Sequence, residues 1–151
     1  MRRVLGFAVF LLLFVPSVAY AAVSCTVSAT SVAFGTYIGG TTSNSTGTIS
    51  VNCKSAASAN VSIALSTGGN GSYSPRKMSS GVNRLSYNLY SNASHTTVWG
   101  DGTGGTATVS ATITISPPST TANFTVFGQI PSQAGPAPGA YSDSIIVTVT
   151  F

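Results

Sequence analysis

Gly47-Thr48-Ile49-Ser50-Val51-Asn52-Cys53 is the stretch that decides the fold. Its apolar side chains alternate with polar ones, and a period of two is typical of a β-strand with one buried face. Cys53 therefore points inward. Six further strands are predicted. The first covers residues 25–34. The other five are the segments with these alternating apolar residues: Val61, Ile63 and Leu65; Leu85, Tyr87 and Leu89; Val109, Ala111, Ile113 and Ile115; Phe124 and Val126; and Ile145, Val147, Val149 and Phe151.

Segments rich in Gly, Pro, Asn and Ser separate these strands, and none has the 3.6-residue period of a helix. They are residues 39–46, 68–75, 100–105, 116–121 and 131–139. Short strands joined by such turns predict an all-β chain folded as a β-sandwich. A closed β-barrel gives the same alternation and stays open as an alternative.

The first 21 residues have the pattern of a secretory signal peptide. Arg2 and Arg3 precede an apolar run over residues 4–15, Pro16 follows, and Ala19-Tyr20-Ala21 is a small-x-small cleavage pattern. The run is too short for a membrane span, which needs about 20 apolar residues. We therefore predict that residues 1–21 are removed, leaving residues 22–151 as one exported domain without a membrane span.

Composition excludes one class of partner. Without Arg2 and Arg3 the chain keeps four basic and two acidic side chains, a net charge of +2, and it has no Glu. Scattered cations do not form the basic stripe that follows nucleic-acid phosphates. No nucleic-acid partner is expected.

The two cysteines, Cys25 and Cys53, both lie in the predicted exported part, among apolar neighbours. Export and inward strand positions predict a disulfide between them. A metal site is the alternative, but two thiolates with one distant His95 make a poor zinc site, so no metal is expected.

Candidate catalytic residues are few. His95 is the only histidine and lies in a polar segment predicted to be a solvated loop, whereas Asp101 and Asp143 are predicted turn residues. No Gly-x-Ser-x-Gly nucleophile motif occurs. A glycosidase needs a pair of carboxylates, and this pair would use both acidic side chains of the chain, which are predicted to lie in turns. Residues 100–105 match a pyrophosphate-binding Gly pattern, but a strand and not a helix is predicted to follow. We therefore expect neither catalysis nor a cofactor.

One aromatic residue is a candidate for ligand binding. Trp99, the only tryptophan, adjoins a Gly-rich turn, with Tyr73, Tyr87 and Tyr90 upstream. Such a group of rings can stack on a sugar, although core packing is the expectation for Tyr87 from its inward phase.

Seven short motifs together resemble the spore coat protein U domain family, which contains the archaic chaperone-usher pilus subunits. The resemblance covers nearly all of residues 22–151. In order, the motifs are Cys25-Thr26-Val27, Phe34-Gly35-Thr36-Tyr37, Gly47 to Cys53, Leu85-Ser86-Tyr87-Asn88-Leu89-Tyr90, Val98-Trp99-Gly100-Asp101-Gly102, Phe127-Gly128-Gln129-Ile130-Pro131 and Pro138-Gly139-Ala140-Tyr141-Ser142-Asp143.

The resemblance implies an immunoglobulin-like sandwich that lacks one strand, which a partner supplies by donor-strand complementation. The implied partners are a periplasmic chaperone, an outer-membrane usher and other pilus subunits, and the implied destination is the cell surface. The last strand, with Ile145, Val147, Val149 and Phe151, is expected to line the acceptor groove and pair with the chaperone, whose basic cleft takes the Phe151 carboxylate. A coat protein, or a carbohydrate-binding module outside a pilus, is the alternative.

The chain departs from polymerising members of this family at its N-terminus. Those members carry ten or more residues of apolar, alternating donor strand before the first cysteine, whereas here Ala22-Val23-Ser24 alone would separate the cleavage site from Cys25. At about 3.3 Å per residue, this stub is too short to fill a groove. The subunit is therefore expected to accept a donor strand but not to supply one, which would place it at the distal tip of a fibre or outside a polymer altogether.

Overall fold

The computed structural model describes residues 22–151, and the predicted signal peptide lies outside the described residues. The described residues form eight β-strands: β1 Ser24–Ala29, β2 Ser43–Lys54, β3 Ser58–Leu65, β4 Arg76–Ser80, β5 Asn83–Tyr90, β6 Val109–Thr114, β7 Thr120–Ile130 and β8 Val147–Thr150. None of these residues belongs to a helix with the length and hydropathy that crossing a bilayer needs.

The strands form two sheets of unequal width. One has five strands in the order β1-β2-β7-β5-β4, and the other has three in the order β6-β3-β8. All strand pairs are antiparallel. The sheets pack face to face as a sandwich, as predicted, and strands such as β8 keep an unpaired edge. The closed-barrel alternative is therefore wrong.

Alternation along each strand builds the core. In β2 the side chains of Ile49, Val51 and Cys53 are buried, while Ser50 and Asn52 face outward and hydrogen-bond Asn123 and Thr121 of β7. Polar cross-strand pairs thus cover the outer face while apolar side chains fill the inner one. Of the predicted inward residues on these strands, Val109, Ala111 and Phe124 are only partly buried. The buried ones are Ile49, Val51, Cys53, Val61, Ile63, Leu65, Leu85, Tyr87, Leu89, Ile113, Ile115 and Val126.

The first two strands are covalently joined. Cys25 lies opposite Cys53 in the β1–β2 register, and their sulfur atoms form a disulfide with an S–S distance of 2.04 Å. The predicted pairing is confirmed, and it leaves neither sulfur as a thiolate ligand for a metal.

The element boundaries differ from the predictions in several places. β8 is shorter than the predicted last strand, because Ile145 and Phe151 lie outside it, and Ile115 lies outside β6. β4 was not predicted, because Met78 is its only apolar residue and a single apolar residue gives no alternating pattern. The first strand ends at Ala29 rather than near residue 34, because the chain beyond Thr30 leaves the sheet edge and turns over the sandwich interior. β2 begins at Ser43, inside a segment predicted as a turn, because all of its first four residues pair with β7.

Candidate functional site

The unequal sheets leave a cavity of about 420 Å³ between their inner faces. We call it the groove. Its floor consists of Ile49, Leu65, Met78, Tyr87, Leu89 and Val126. Its N-terminal wall is residues 29–34, which begin with the last residue of β1, and its C-terminal wall is residues 141–147, which end with the first residue of β8. A floor of core side chains between walls that are largely apolar fits an apolar strand better than a small polar ligand.

The N-terminal wall is fixed to β2 by hydrogen bonds. Thr30 and Thr48 exchange two of them: the Thr30 N–H donates to the Thr48 carbonyl at 2.9 Å, and the Thr48 N–H donates to the Thr30 hydroxyl at 2.8 Å. The Ser45 hydroxyl donates to the Ala33 carbonyl at 2.7 Å. These bonds hold the wall although it is not a strand.

Two glycines let this wall enter the sandwich. A Cβ on Gly47 would lie 2.8 Å from the Thr30 carbonyl oxygen, and a Cβ on Gly128 would collide with Val32 and lie 2.8 Å from the Phe34 ring. The Phe34 ring in turn meets Tyr87 edge-on, with 6.1 Å between centroids. Val32 and Phe34 therefore occupy space that side chains at these two positions would fill.

The C-terminal wall is held at its start by Asp143. Its Oδ1 accepts hydrogen bonds from the N–H groups of Gly69 and Ser144, each at 2.8 Å, and its Oδ2 accepts one from the Tyr87 hydroxyl at 2.7 Å. Ser142 also exchanges two backbone hydrogen bonds with Ser79 of β4. Asp143 is thus a link between the two sheets and more than the turn residue that the sequence predicted.

The surroundings of Tyr87 favour the neutral form of its hydroxyl. Burial, together with the hydrogen bond to Asp143 and its negative charge, raises the pKa of Tyr87, while the nearby Arg76 acts in the opposite direction. Tyr87 therefore remains a hydrogen-bond donor to Asp143 at all physiological pH values.

The C-terminal wall ends in a strand with a free edge. The Ser66 N–H donates to the Ile146 carbonyl at 3.0 Å, and in the same register Thr148 pairs with Ala64 and Thr150 with Ser62. Since antiparallel hydrogen-bonded pairs alternate, Val147 and Val149 direct their backbone groups away from β3. Among the described strands β8 pairs with β3 alone, so these groups are available to a further strand.

The opposite side of the sandwich also lacks cover. Val27 of β1 lies opposite the fully buried Val51, yet 43% of its surface is exposed, and Ala29 is exposed as well. Both side chains share the inward phase of Cys25. An apolar row on β1 is thus open to solvent where a complete sandwich would cover it.

The predicted groove residues are placed as follows. Ile145 and Val147 line the groove, and Val149 packs against the core in the same phase. Phe151 does not line it: its side chain is 49% exposed and shares a shallow surface depression with Asn60 and Thr150.

Trp99, a candidate for stacking on a ligand, is buried in the core. Its side chain is 1% exposed, and its indole N–H donates to the Ile63 carbonyl at 2.9 Å. The ring is packed between the sheets and has no face open to a ligand. The structure therefore contradicts Trp99 as a stacking residue for sugars.

The candidate catalytic residues have separate surroundings. His95 is half-buried, not fully solvated as predicted, because its ring lies edge-on to Tyr90 and Phe127 at 5.2 and 6.4 Å. Asp101 accepts hydrogen bonds from the N–H and hydroxyl of Thr103, which lower the pKa of its carboxyl group. Asp143 is engaged by Tyr87. Within residues 22–151 no side-chain hydrogen bond joins His95 to either aspartate.

Arg76 is the main residue that the sequence did not single out. It is fully buried and donates to the Ser66 carbonyl twice, at 3.0 and 2.8 Å, to the Trp99 carbonyl at 2.7 Å and to Asn88 Oδ1 at 2.8 Å. Burial lowers the pKa of its guanidinium. The only sequence signal is an arginine two residues before the apolar Met78, which is too common to be informative.

Comparison with known proteins agrees with this architecture. The family model of the Spore Coat Protein U domain matches residues 12–148. The chain belongs to the Spore Coat Protein U domain family. No protein with a curated description matches this Spore Coat Protein U domain.

A solved structure shares the fold. It is the complex of the CsuC chaperone with the CsuE tip adhesion subunit, a pre-assembly complex of the archaic chaperone-usher Csu pili of Acinetobacter baumannii. The TM-score is 0.59 at 27% identity, over 86% of this chain and 40% of the matched chain. The Spore Coat Protein U domain thus spans well under half of its neighbour's length. The expected immunoglobulin-like sandwich is confirmed.

Proposed function

We propose that this chain is an exported structural subunit of a chaperone-usher pilus, that it takes up a partner's strand in the groove, and that it has no catalytic role. The observation that carries the proposal is the free edge of β8 beside an uncovered apolar groove. A strand paired with Val147 and Val149 would widen the three-stranded sheet and direct alternate side chains towards the groove floor.

The energetics favour such an insertion. Unpaired backbone groups on β8 gain hydrogen bonds, and the exposed Val27 and Ala29 become covered from the other side. Burying apolar surface contributes about 25 cal/mol per Å², so a strand that covers both walls adds several kcal/mol to the stability of the sandwich. The empty form is the less stable one.

The neighbour supports the choice of partners. Its complex joins a tip adhesion subunit to a chaperone before assembly. We infer that a periplasmic chaperone occupies the groove first, that an outer-membrane usher receives the subunit, and that another pilus subunit supplies the final strand. The Cys25–Cys53 disulfide is consistent with export into an oxidising compartment on the way to the cell surface.

A position in the fibre follows from the N-terminus. We propose cleavage after Ala21, which leaves Ala22 and Val23 ahead of β1. Two residues extend about 7 Å, much less than a strand of ordinary length. The mature subunit would then accept a donor strand without offering one, as required of a subunit at the distal tip.

A direct test uses the mature protein and a synthetic peptide of about ten residues with alternating Val and Thr, long enough for one strand. We expect the peptide to bind and to raise the unfolding temperature, whereas a peptide with the same composition in scrambled order does not. Co-expression with a chaperone of this pilus class should increase the yield of soluble subunit. A mature protein that is equally stable with and without both partners, or that polymerises alone into long fibres, contradicts the proposal.

A further inference from the structure

The C-terminal wall has one residue that does not fit its pattern. Along residues 141–149, every second side chain is partly buried and faces the interior: Tyr141, Asp143, Ile145, Val147 and Val149. Apart from Asp143, this inward row is apolar or aromatic. Of the described residues that line the groove, Asp143 alone is charged.

The hydrogen bonds of Asp143 leave one acceptor position open. A carboxylate has about four lone-pair sites, two on each oxygen. The N–H groups of Gly69 and Ser144 fill both sites on Oδ1, but Oδ2 accepts only the Tyr87 hydroxyl. Asp143 and Tyr87 both line the groove, and Gly68 also packs against Oδ2, so closely that a Cβ on Gly68 would collide with it.

Within residues 22–151 no basic side chain hydrogen-bonds Asp143 Oδ2. Arg76 is near enough to influence Tyr87 electrostatically, but its guanidinium is directed to the carbonyls of Ser66 and Trp99 and to Asn88. A hydroxyl donor suits this position better than an ammonium group, because it can bond Oδ2 without bringing a second charge into an otherwise apolar groove. An anionic side chain would meet a carboxylate at close range.

Resting on the proposed function, we propose that the groove selects its strand by polarity: the donor side chain that faces Asp143 is a Ser or Thr, and those facing Ile145, Val147 and Val149 are apolar. Inward residues repeat at about 6.6 Å along a strand paired with β8, so one of them reaches Asp143. The specificity-determining residue of this surface is Asp143.

Isosteric peptides test this preference. The reference peptide carries Val at every inward position, and each variant replaces one Val by Thr, which has the same shape. A hydrogen bond to an ionised group predicts that Thr at one end position binds about tenfold more tightly than Val. At the other inward positions Thr should bind more weakly, because its hydroxyl is buried without a partner. Glu at the favoured position should bind weakest.

Two protein variants give the control. Asp143→Asn is isosteric and keeps an oxygen for Gly69 and Ser144, but it replaces the charged Oδ2 by an amide N–H. A Thr hydroxyl can then only accept a neutral hydrogen bond, so we expect the gain from Thr to shrink. Asp101→Asn removes the other acidic side chain of residues 22–151, which does not line the groove, and it should preserve the gain. Peptides that bind with no position favouring Thr, or a gain that is undiminished in Asp143→Asn, overturn this proposal alone. If no alternating peptide binds, the proposed function fails as well.

Discussion

The guanidinium of Arg76 donates a 2.7 Å hydrogen bond to the carbonyl oxygen of Trp99, and both side chains are buried at the same end of the sandwich. Trp99 in turn donates its indole N–H to Ile63 of β3, and Arg76 reaches Ser66, just beyond the end of that strand. The two residues thus connect β4, β3 and the segment after β5 through polar groups that are all satisfied.

Removal of Arg76 is expected to be costly. Arg76→Ala leaves the carbonyls of Ser66 and Trp99 and the Asn88 side chain without their donors, and each unpaired buried group costs about 1–3 kcal/mol. We predict a loss of about 3 kcal/mol or more in the free energy of unfolding, measured by urea denaturation. Arg84→Ala is the matched control: Arg84 is exposed and bonds only the nearby carbonyls of Gly81 and Asn83. Equal losses in both variants would show that the buried network is unimportant.

Removing the disulfide is expected to destabilise the fold without changing its topology. Cys25 and Cys53 are 28 residues apart, and a loop of this size predicts a contribution of about 3–4 kcal/mol on the chain-entropy estimate. The double variant Cys25→Ala with Cys53→Ala should show this loss, and reductant should destabilise only the parent protein. Alkylation of two thiols in the unreduced protein would disprove the pairing.

The entry of the N-terminal wall into the sandwich depends on Gly128. Gly128→Ala places a Cβ against Val32 and Phe34, and overpacking of this kind costs about 1–3 kcal/mol. Gly135→Ala is the control, because the nearest atom to its Cβ would be 3.6 Å away. Adding Phe34→Ala to Gly128→Ala should recover part of the stability in a double-mutant cycle. Additive effects of the two changes would exclude contact between these positions.

Adjacent residues of β8 distinguish its two faces. Val147 lines the groove, whereas Thr148 is exposed on the outer face. In Val147→Lys the charge enters the groove, and we expect the affinity for an alternating peptide to fall by about tenfold or more. Thr148→Lys should change it less than about twofold, as is usual for exposed positions. The dissociation constants can be measured by calorimetry, and similar losses for both variants would place the binding site elsewhere.

The raised pKa of Tyr87 predicts how stability depends on alkaline pH. In the unfolded chain a tyrosine ionises near pH 10, whereas folded Tyr87 stays protonated beyond that value. Its contribution is therefore complete below about pH 10 and decreases as the pH rises above it, because the unfolded state then loses a proton that the folded state keeps. Urea midpoints at about pH 8 and about pH 11 should differ less in Tyr87→Phe than in the parent. An unchanged difference would mean that Tyr87 ionises normally.

Local periodicity explains which parts of the structure were predictable. Ile49, Val51 and Ile63 were assigned to the core because alternation is a property of neighbouring residues, and all three are buried. The disulfide was predicted on the same basis, because the alternation places Cys25 and Cys53 on inward strand positions. The sandwich could be predicted on this basis, but the choice between a sandwich and a barrel required the strand pairing.

The residues that were missed depend on contacts far apart in sequence. Arg76 is buried because the carbonyls of Ser66 and Trp99 meet beside it, and Trp99 is buried because Ile63 supplies a carbonyl for its N–H. Asp143 looked like a turn residue because Gly69 and Tyr87 are distant in the chain. Polar residues with tertiary partners leave no periodic signal, and for this reason the character of the groove walls emerged only from the structure.

The two groove walls come from segments that lie far apart in the chain, residues 29–34 and residues 141–147. The β1–β2 hairpin and its disulfide join neighbouring strands and can form without the second wall. The groove itself exists only after the strands between the two walls have folded. On the proposed function, a chain cut before residue 141 would hold one wall alone, and uptake of a partner strand would therefore select for folded subunits.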